Sequence, residues 1–356
     1  MFLIRNAEPS DFKSVVRLAE LLNSYNLPAD QDFLRHLLKD SIDSFRNRSV
    51  PIERRRFLIV AEDIRTKKVV GCSLIIARHG TPKLPHIAFR LGGEQKRSRF
   101  LRRSIEHQTL QLTVNRSGFT EIGGLVVLPA YRHRPEQLAT QLSYARFAYM
   151  AWHPEKFRPR VLVEYLPKLD SKNGNQFWRV LGAHFTHLSY HEADRLSAVD
   201  KEFILSLFPK EKIYCHLLPK SAVQDLGVPG PGAQASLRML RRIGFNYLNQ
   251  VDPFDGGPHY SAIRERISVV RNTRFYRYEG DFVCGFSGGV TGSARLKPGT
   301  ASNASTMLLM VVKGGKLRAV VAPFKIKKGL VRINSDAANS LRLEAGDRVS
   351  VTPMDQ

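Results

Sequence analysis

The sequence predicts an α/β fold, α+β in the ordering of its elements, and three observations predict it. Ile122–Leu128 is an apolar run of strand length. It passes through a Pro129-led turn carrying Arg132, His133 and Arg134 into a stretch whose apolar residues recur at three and four positions. Strand-like and helix-like segments alternate over the first 190 residues. The composition, 43% hydrophobic and 24% charged over 356 residues, describes an ordinary globular chain long enough for two domains with cores of their own.

In order along the chain, Phe2–Arg5 is extended, and the turn Ala7–Asp11 caps a helix in which Phe12, Val15, Val16, Leu18, Ala19 and Leu22 share a face. Residues 57–63 and 69–77 are strands of a hairpin joined by the polar turn 64–68. The Arg-rich segment Gly92–Glu106 shows no period and is expected to be loop with short elements. After strand 122–128 and the helix running to Met150 comes a strand at Arg160–Tyr165. The turn Asp170–Gly174 leads to a short helix ending at Gly182, since a glycine after a helix takes the left-handed conformation cheaply, and then to a strand through Phe185. Pro219–Leu226 reads as a short helix, 227–232 as loop, and Ala233–Ile243 as a helix ending at Gly244–Phe245. The similar endings Leu181–Phe185 and Arg242–Phe245 suggest a weak internal repeat. Residues 285–306, rich in Gly, Ser and Thr, read as a linker. Strands at Met307–Val312, Leu317–Phe324 and Leu330–Ile333, with a turn-rich stretch to Val349, make a small β-rich tail.

Charge is the unusual feature. Lys+Arg 55 against Asp+Glu 32 gives +23, a balance that attracts anions: nucleic acid, anionic lipid or an acyl-coenzyme A. Basic residues cluster at Arg46–Arg56, Lys96–Arg103, Arg238–Arg242, Arg264–Arg277 and Lys325–Arg332, without a nucleic-acid-binding motif, so nucleic acid rests on charge alone. No apolar run approaches the roughly 20 residues that span a bilayer, and the N-terminus lacks a signal-peptide pattern, so a cytoplasmic protein without a membrane partner is expected. Cys72, Cys215 and Cys284 are odd in number and widely spaced, which fits reduced thiols and no metal site.

The order strand, Pro129, Tyr131, Arg132, helix resembles the coenzyme A-gripping element of acetyltransferase-like (GNAT) folds, where backbone N–H groups at a helix N-terminus hold the pyrophosphate. The glycines of the usual R/Q-x-x-G-x-G/A turn are replaced here by Arg134-Pro135-Glu136-Gln137. Longer motifs then resemble the arginine N-succinyltransferase family: FWRVLGAHF from Phe177, HEADRLS from His191, EFILSLFPKEKIYCHLLP from Glu202 and GFNYLNQVDPFDGGP from Gly244. The likeness extends more loosely over nearly the whole chain. It implies a GNAT-like fold and transfer of succinyl from succinyl-CoA to the α-amino group of arginine, a first step in arginine breakdown. It also suggests a division into a GNAT-like acyl-CoA domain (1–200), a second GNAT-like or substrate region (201–284), the linker (285–306) and the β-rich end (307–356).

Carried over by residue, the resemblance puts Leu125 at the succinyl-CoA site, on a splayed strand whose backbone can bond the cofactor, with Val127, Arg132 and Arg134 as further cofactor contacts. The family's histidine proton donor aligns with Gly230, which cannot transfer a proton. Acyl transfer to an amine needs a proton acceptor and a proton for the thiolate. Glu121, at the start of the central strand, is the candidate base. His216, His184, His259 and Tyr214 are candidate donors. A cationic substrate in so basic a chain needs local carboxylates, and Glu164, Asp252 and Asp255 are the candidates, although Asp252–Gly257 reads equally as a turn held by Asx hydrogen bonds. The family's members include paired subunits, so a homo- or hetero-oligomer is expected. Gly230 and the missing glycines leave open an alternative: a catalytically degenerate homologue serving as a subunit or as a polyanion-binding protein.

Overall fold

The computed structural model describes residues 1–354 apart from 23, 25, 168–175, 198 and 283–304. The expected turn 170–174, most of the expected linker and Cys284 lie outside the described residues. The chain runs through β1 (Phe2–Asn6), α1 (Phe12–Leu22), α2 (Gln31–Phe45), β2 (Arg56–Asp63), β3 (Val69–His79), β4 (His86–Ser98), β5 (Arg103–Asn115), β6 (Phe119–Val127), α3 (Leu138–Trp152) and β7 (Arg160–Glu164). Helices at Gln176–Val180, Gly182–Thr186, Tyr190–Ser197 and Glu202–Leu207 lead to β8 (Ile213–Tyr214). Helices Lys220–Val223 and Gln234–Arg242 precede β9 (Asn246–Val251), β10 (Pro258–Ile263) and β11 (Arg274–Phe282), and the chain closes with β12 (Ser305–Lys313), β13 (Lys316–Lys327), β14 (Leu330–Asn334), a helix at Ser335–Leu341, and β15 (Arg348–Thr352). Residues 305 and 306, expected at the end of the linker, open β12. The result is the mixed α/β fold that the sequence predicts.

Two compact units share the chain discontinuously. Unit 1 comprises Met1–Ala77, Ile122–Phe157 and Arg264–Gln356; unit 2 comprises Arg78–Glu121 and Arg158–Ile263.

In unit 1, β1 pairs with β2 and β2 with β3, all antiparallel, and β6 lies next to β3. The apolar stripes of α1 and α2 cover this sheet, with Val15, Leu18, Leu34 and Leu37 packed on Leu58, Val60, Leu74 and Val126. Arg5 fastens β1 to the start of α1 through a two-pronged bond to Asp11 at 2.7 and 2.9 Å and a third to Glu62 at 2.9 Å. Strands β12, β15, β11, β14 and β13 pair in that order, and β13 returns to β12, so five strands close into a small barrel. Met307, Leu309, Val320, Phe324, Ile333 and Val351 fill it. The first part of β13 also pairs with β1, Ile4 opposite Ala319.

Unit 2 is an antiparallel sheet in the order β7, β10, β9, β4, β5, β8, with helices packed over Phe89, Leu110 and Val251 through Phe177, Trp178, Ile204 and Phe208. The segment 92–106, expected as loop, is instead a long hairpin: β4 and β5 pair without interruption from His86–Asn115 to Ser98–Arg103. Both faces of its outer half are largely exposed, so no apolar alternation marks it in the sequence. The strand expected through Phe185 is the helix Gly182–Thr186. Gly182 is not a left-handed cap. A Cβ there would come within 2.2–2.6 Å of the Trp178 ring, so glycine is required by contact. Gly244 does sit at a left-handed φ of 111° after its helix, and the two similar endings are therefore unlike in structure.

Candidate functional site

The carboxylates expected to act in the site come together in unit 2 with the candidate donor His259, around two histidines, His79 and His86, that were not expected there. Strand β3 ends at His79 and β4 begins at His86, so a six-residue turn brings two imidazoles face to edge, with ring centroids 5.2 Å apart. Glu121 lies in the first part of β6, which pairs in parallel with β7 through Glu121 and Leu162. Glu164 ends β7 directly opposite His259 on β10. Asp252 and Asp255 occupy the turn between β9 and β10.

Glu121 is fully buried, not an exposed strand-end carboxylate, and its Oε2 lies 2.9 Å from Nδ1 of His79. With Nδ1–H donated to that carboxylate, His79 Nε2 carries the lone pair. Nε2 is 3.2 Å from Nδ1 of His86 and 3.7 Å from Oε1 of Glu164; the same Glu164 oxygen is 3.3 Å from His86 Nδ1 and 3.9 Å from His259 Nε2. Donor atoms of Glu164, Asp252 and His259 also lie within 4.8 Å of one another. Both groupings have the atom types and spacing of a cation site.

Electrostatics sorts the groups. Burial alone would lower His79, but the charge and hydrogen bond of Glu121 outweigh it and raise the imidazole. Burial holds His259 neutral, down to about 4, and lowers His86 too. Burial would raise Glu164, yet the imidazoles grouped around it hold it well below the usual carboxylate range. Asp255 is pushed well above that range by burial and by Asp252, and Asp252 is raised by burial and by Glu164. Asp252 Oδ1 accepts from the N–H groups of Phe254 (2.7 Å) and Asp255 (3.2 Å), and Asp255 Oδ1 from that of Gly257 (2.7 Å). The Asx turn and the acidic cluster are thus the same residues. Tyr190, which the sequence reading did not single out, keeps its proton through burial and the nearby charges of Asp255 and Asp252. His86 also lines an open, polar cavity of about 370 Å³ bounded by Thr113, Asn115, Phe119 and Gln250.

The other candidate donors lie elsewhere in unit 2. His216 is exposed, its ring against His107. Tyr214 donates to Glu94 at 2.9 Å, and His184 Nδ1 lies 3.1 Å from the Arg179 carbonyl. Gly230 donates its N–H to the Leu166 carbonyl at 2.9 Å, and a Cβ there would meet the Pro167 carbonyl at 2.9 Å. The position that the resemblance assigns to a histidine has no room for one without movement.

The candidate cofactor residues are in unit 1. Within β6, Gly124 adopts φ +57°, a conformation open to glycine at little cost, and the strand buckles just before Leu125. The buried Arg146 of α3 reaches this kink, with Nη1 3.4 Å from the Gly123 carbonyl. Leu125 is half-buried and Val127 buried. Arg132 Nε donates to the Val127 carbonyl and Arg134 Nε to the Ala130 carbonyl, each at 2.8 Å, and Arg134 also stacks on Tyr131. The N-terminus of α3 follows, preceded by Gln137 at a left-handed φ of 50°.

The family described as arginine N-succinyltransferase beta subunit matches residues 2–269. The chain belongs to this family. Among curated members, the arginine N-succinyltransferase subunit alpha of Pseudomonas aeruginosa is 31% identical over 278 residues, 77% of this chain and 81% of that one. The arginine N-succinyltransferase of Shigella dysenteriae serotype 1 is 29% identical over 291 residues, 79% of this chain and 83% of its own. A solved structure titled arginine/ornithine succinyltransferase subunit AI from P. aeruginosa superposes with a TM-score of 0.79 at 26% identity, covering 100% of this chain and 99% of that one. Among the described residues no helix is long and apolar enough to cross a membrane.

Proposed function

We propose that the chain is an arginine N-succinyltransferase, moving the succinyl group of succinyl-CoA to the α-amino group of L-arginine. The observation that carries this reading is the His79–Glu121 pair beside Glu164 and Asp252, inside a family of this activity. The carboxylates attract the cationic amine into a strongly basic protein. His79 Nε2 then takes the proton that the amine must lose, and Glu121 acts through His79, fixing its tautomer and stabilising the imidazolium. The amine nitrogen attacks the thioester carbonyl directly, the C–S bond breaks, and the coenzyme A thiolate leaves to be protonated. Leu125 and Val127 offer backbone groups to the acyl-CoA, and Arg132, Arg134 and the start of α3 offer positive charge to its phosphates. The subunit-named relatives support assembly with copies of the chain or with a related subunit.

Pro135 in the cofactor turn and the close packing of Gly230 favour a second reading, a degenerate homologue that serves as a subunit. Purified protein, succinyl-CoA and arginine decide between them. Thiol release that depends on arginine, with succinylarginine identified by mass spectrometry, is the expected result. Micromolar binding of neither succinyl-CoA nor coenzyme A, and no thiol release, would hand the chain to the second reading.

A further inference from the structure

We propose that His79, His86 and Glu164 form a binding site for a divalent transition metal of the Zn²⁺ class, with Glu121 orienting His79 from behind. The separations of the three facing atoms, His79 Nε2 to His86 Nδ1 (3.2 Å), His86 Nδ1 to Glu164 Oε1 (3.3 Å) and His79 Nε2 to Glu164 Oε1 (3.7 Å), define a circle of about 2.0 Å radius. That radius is close to the length of a zinc–nitrogen or zinc–oxygen bond, so one ion seated just off the plane of the three atoms lies near bonding distance of each. The donor set, two imidazoles and a carboxylate, suits zinc, and leaves a position open. Glu121, 2.9 Å from the far nitrogen of His79, is the carboxylate that a metal-bound histidine characteristically engages with its second N–H.

A further observation points to a ligand. His259 is fully buried, and among the described residues neither of its ring nitrogens has a hydrogen-bond partner, although Nε2 lies 3.9 Å from the same Glu164 oxygen. A buried imidazole left unbonded is costly, and His259 Nε2 faces the Glu164 oxygen that would hold the ion. On binding, two imidazole lone pairs and a carboxylate oxygen coordinate the ion, and any proton on the coordinating nitrogens goes to solvent.

Binding stands on this geometry alone. Its consequence rests on the transferase reading: the metal takes the His79 lone pair that accepts the amine's proton, so bound Zn²⁺ holds the enzyme inactive.

The test uses full-length protein stripped with EDTA. Calorimetry with Zn²⁺ is expected to give one ion per chain, and Co²⁺ the visible absorption of a four-coordinate site. His86→Ala and Glu164→Gln should abolish stoichiometric binding, Glu121→Gln should weaken it roughly 10–100-fold, and His36→Ala, on an exposed helix face, should leave it unchanged. X-ray absorption of the zinc-loaded wild type counts imidazole and oxygen ligands without any variant, so a misfolded variant does not rescue the idea. Absent binding, binding that survives folded His86→Ala, or a spectrum without imidazole overturns the site. Transfer by stripped protein should stop on adding Zn²⁺ and return with EDTA; transfer unaffected by bound zinc overturns the inhibitory role. Binding as expected with no transfer in either state upholds the site and removes the transferase reading instead.

Discussion

Glu121 shows how a carboxylate can be fully buried and still keep a charge-assisted contact, here with Nδ1 of His79 at 2.9 Å. In the proposed mechanism its effect passes through His79. Glu121→Gln is therefore expected to lower kcat about tenfold or more with little change in the KM for arginine, because the tautomer is lost while the attracting charges of Glu164 and Asp252 stay. Steady-state kinetics on the two parameters separates this from a loss of substrate binding, and an unchanged kcat removes Glu121 from the mechanism. Glu164, Asp252 and Asp255 were legible from residue type, since a basic chain with a cationic substrate needs local acidic groups, and Glu121 from its place at the start of the central strand. His79 and His86 were not. Their partners lie about 40 to 180 residues away, and the local trace is only two histidines flanking Gly80–Pro85, a turn signal without a chemical one.

At the scale of elements, the sequence announces whatever is buried on one face. The amphipathic α1, the β2–β3 hairpin and the strand into α3 were all readable in this way. The outer half of β4–β5 is held by backbone pairing with both faces largely exposed, so its residues carry no period. The Gly182 misreading has a different cause: a glycine wanted for room and one wanted for φ look the same in one dimension. Gly182→Ala is accordingly expected to destabilise unit 2 by about 1–3 kcal/mol, by forcing Trp178 off Phe254, on which it stacks at 5.0 Å. Chemical denaturation followed by tryptophan fluorescence measures this, and a change within about 0.5 kcal/mol would show that the ring can yield.

For the whole molecule, two expectations follow from charge and connectivity. The +23 balance should act on encounter more than on fit. Between about 0.01 and 0.5 M salt, the association rate of succinyl-CoA should fall several-fold while its dissociation rate barely moves. Stopped-flow kinetics reads both, and a change carried by dissociation would place the salt dependence in the bound contacts. Ending the chain after Phe282 removes β12–β15, and with them most of the apolar cluster that includes Leu3. Unit 1 of that fragment should lose cooperative thermal unfolding by calorimetry; a sharp transition at an unchanged temperature would mean that β1–β3 and β6 stand without the barrel.

The pairing of β1 with β13 also reaches back to the moment of synthesis. The N–H of Leu317 bonds the side chain of Asn6, made 311 residues earlier. At the roughly 5–20 residues per second of translation, the first strand emerges from the ribosome about 15–60 s before the strand that completes its edge exists. During that interval β1 presents an unsatisfied strand edge, so chaperone demand should concentrate on β1 until β13 has been made.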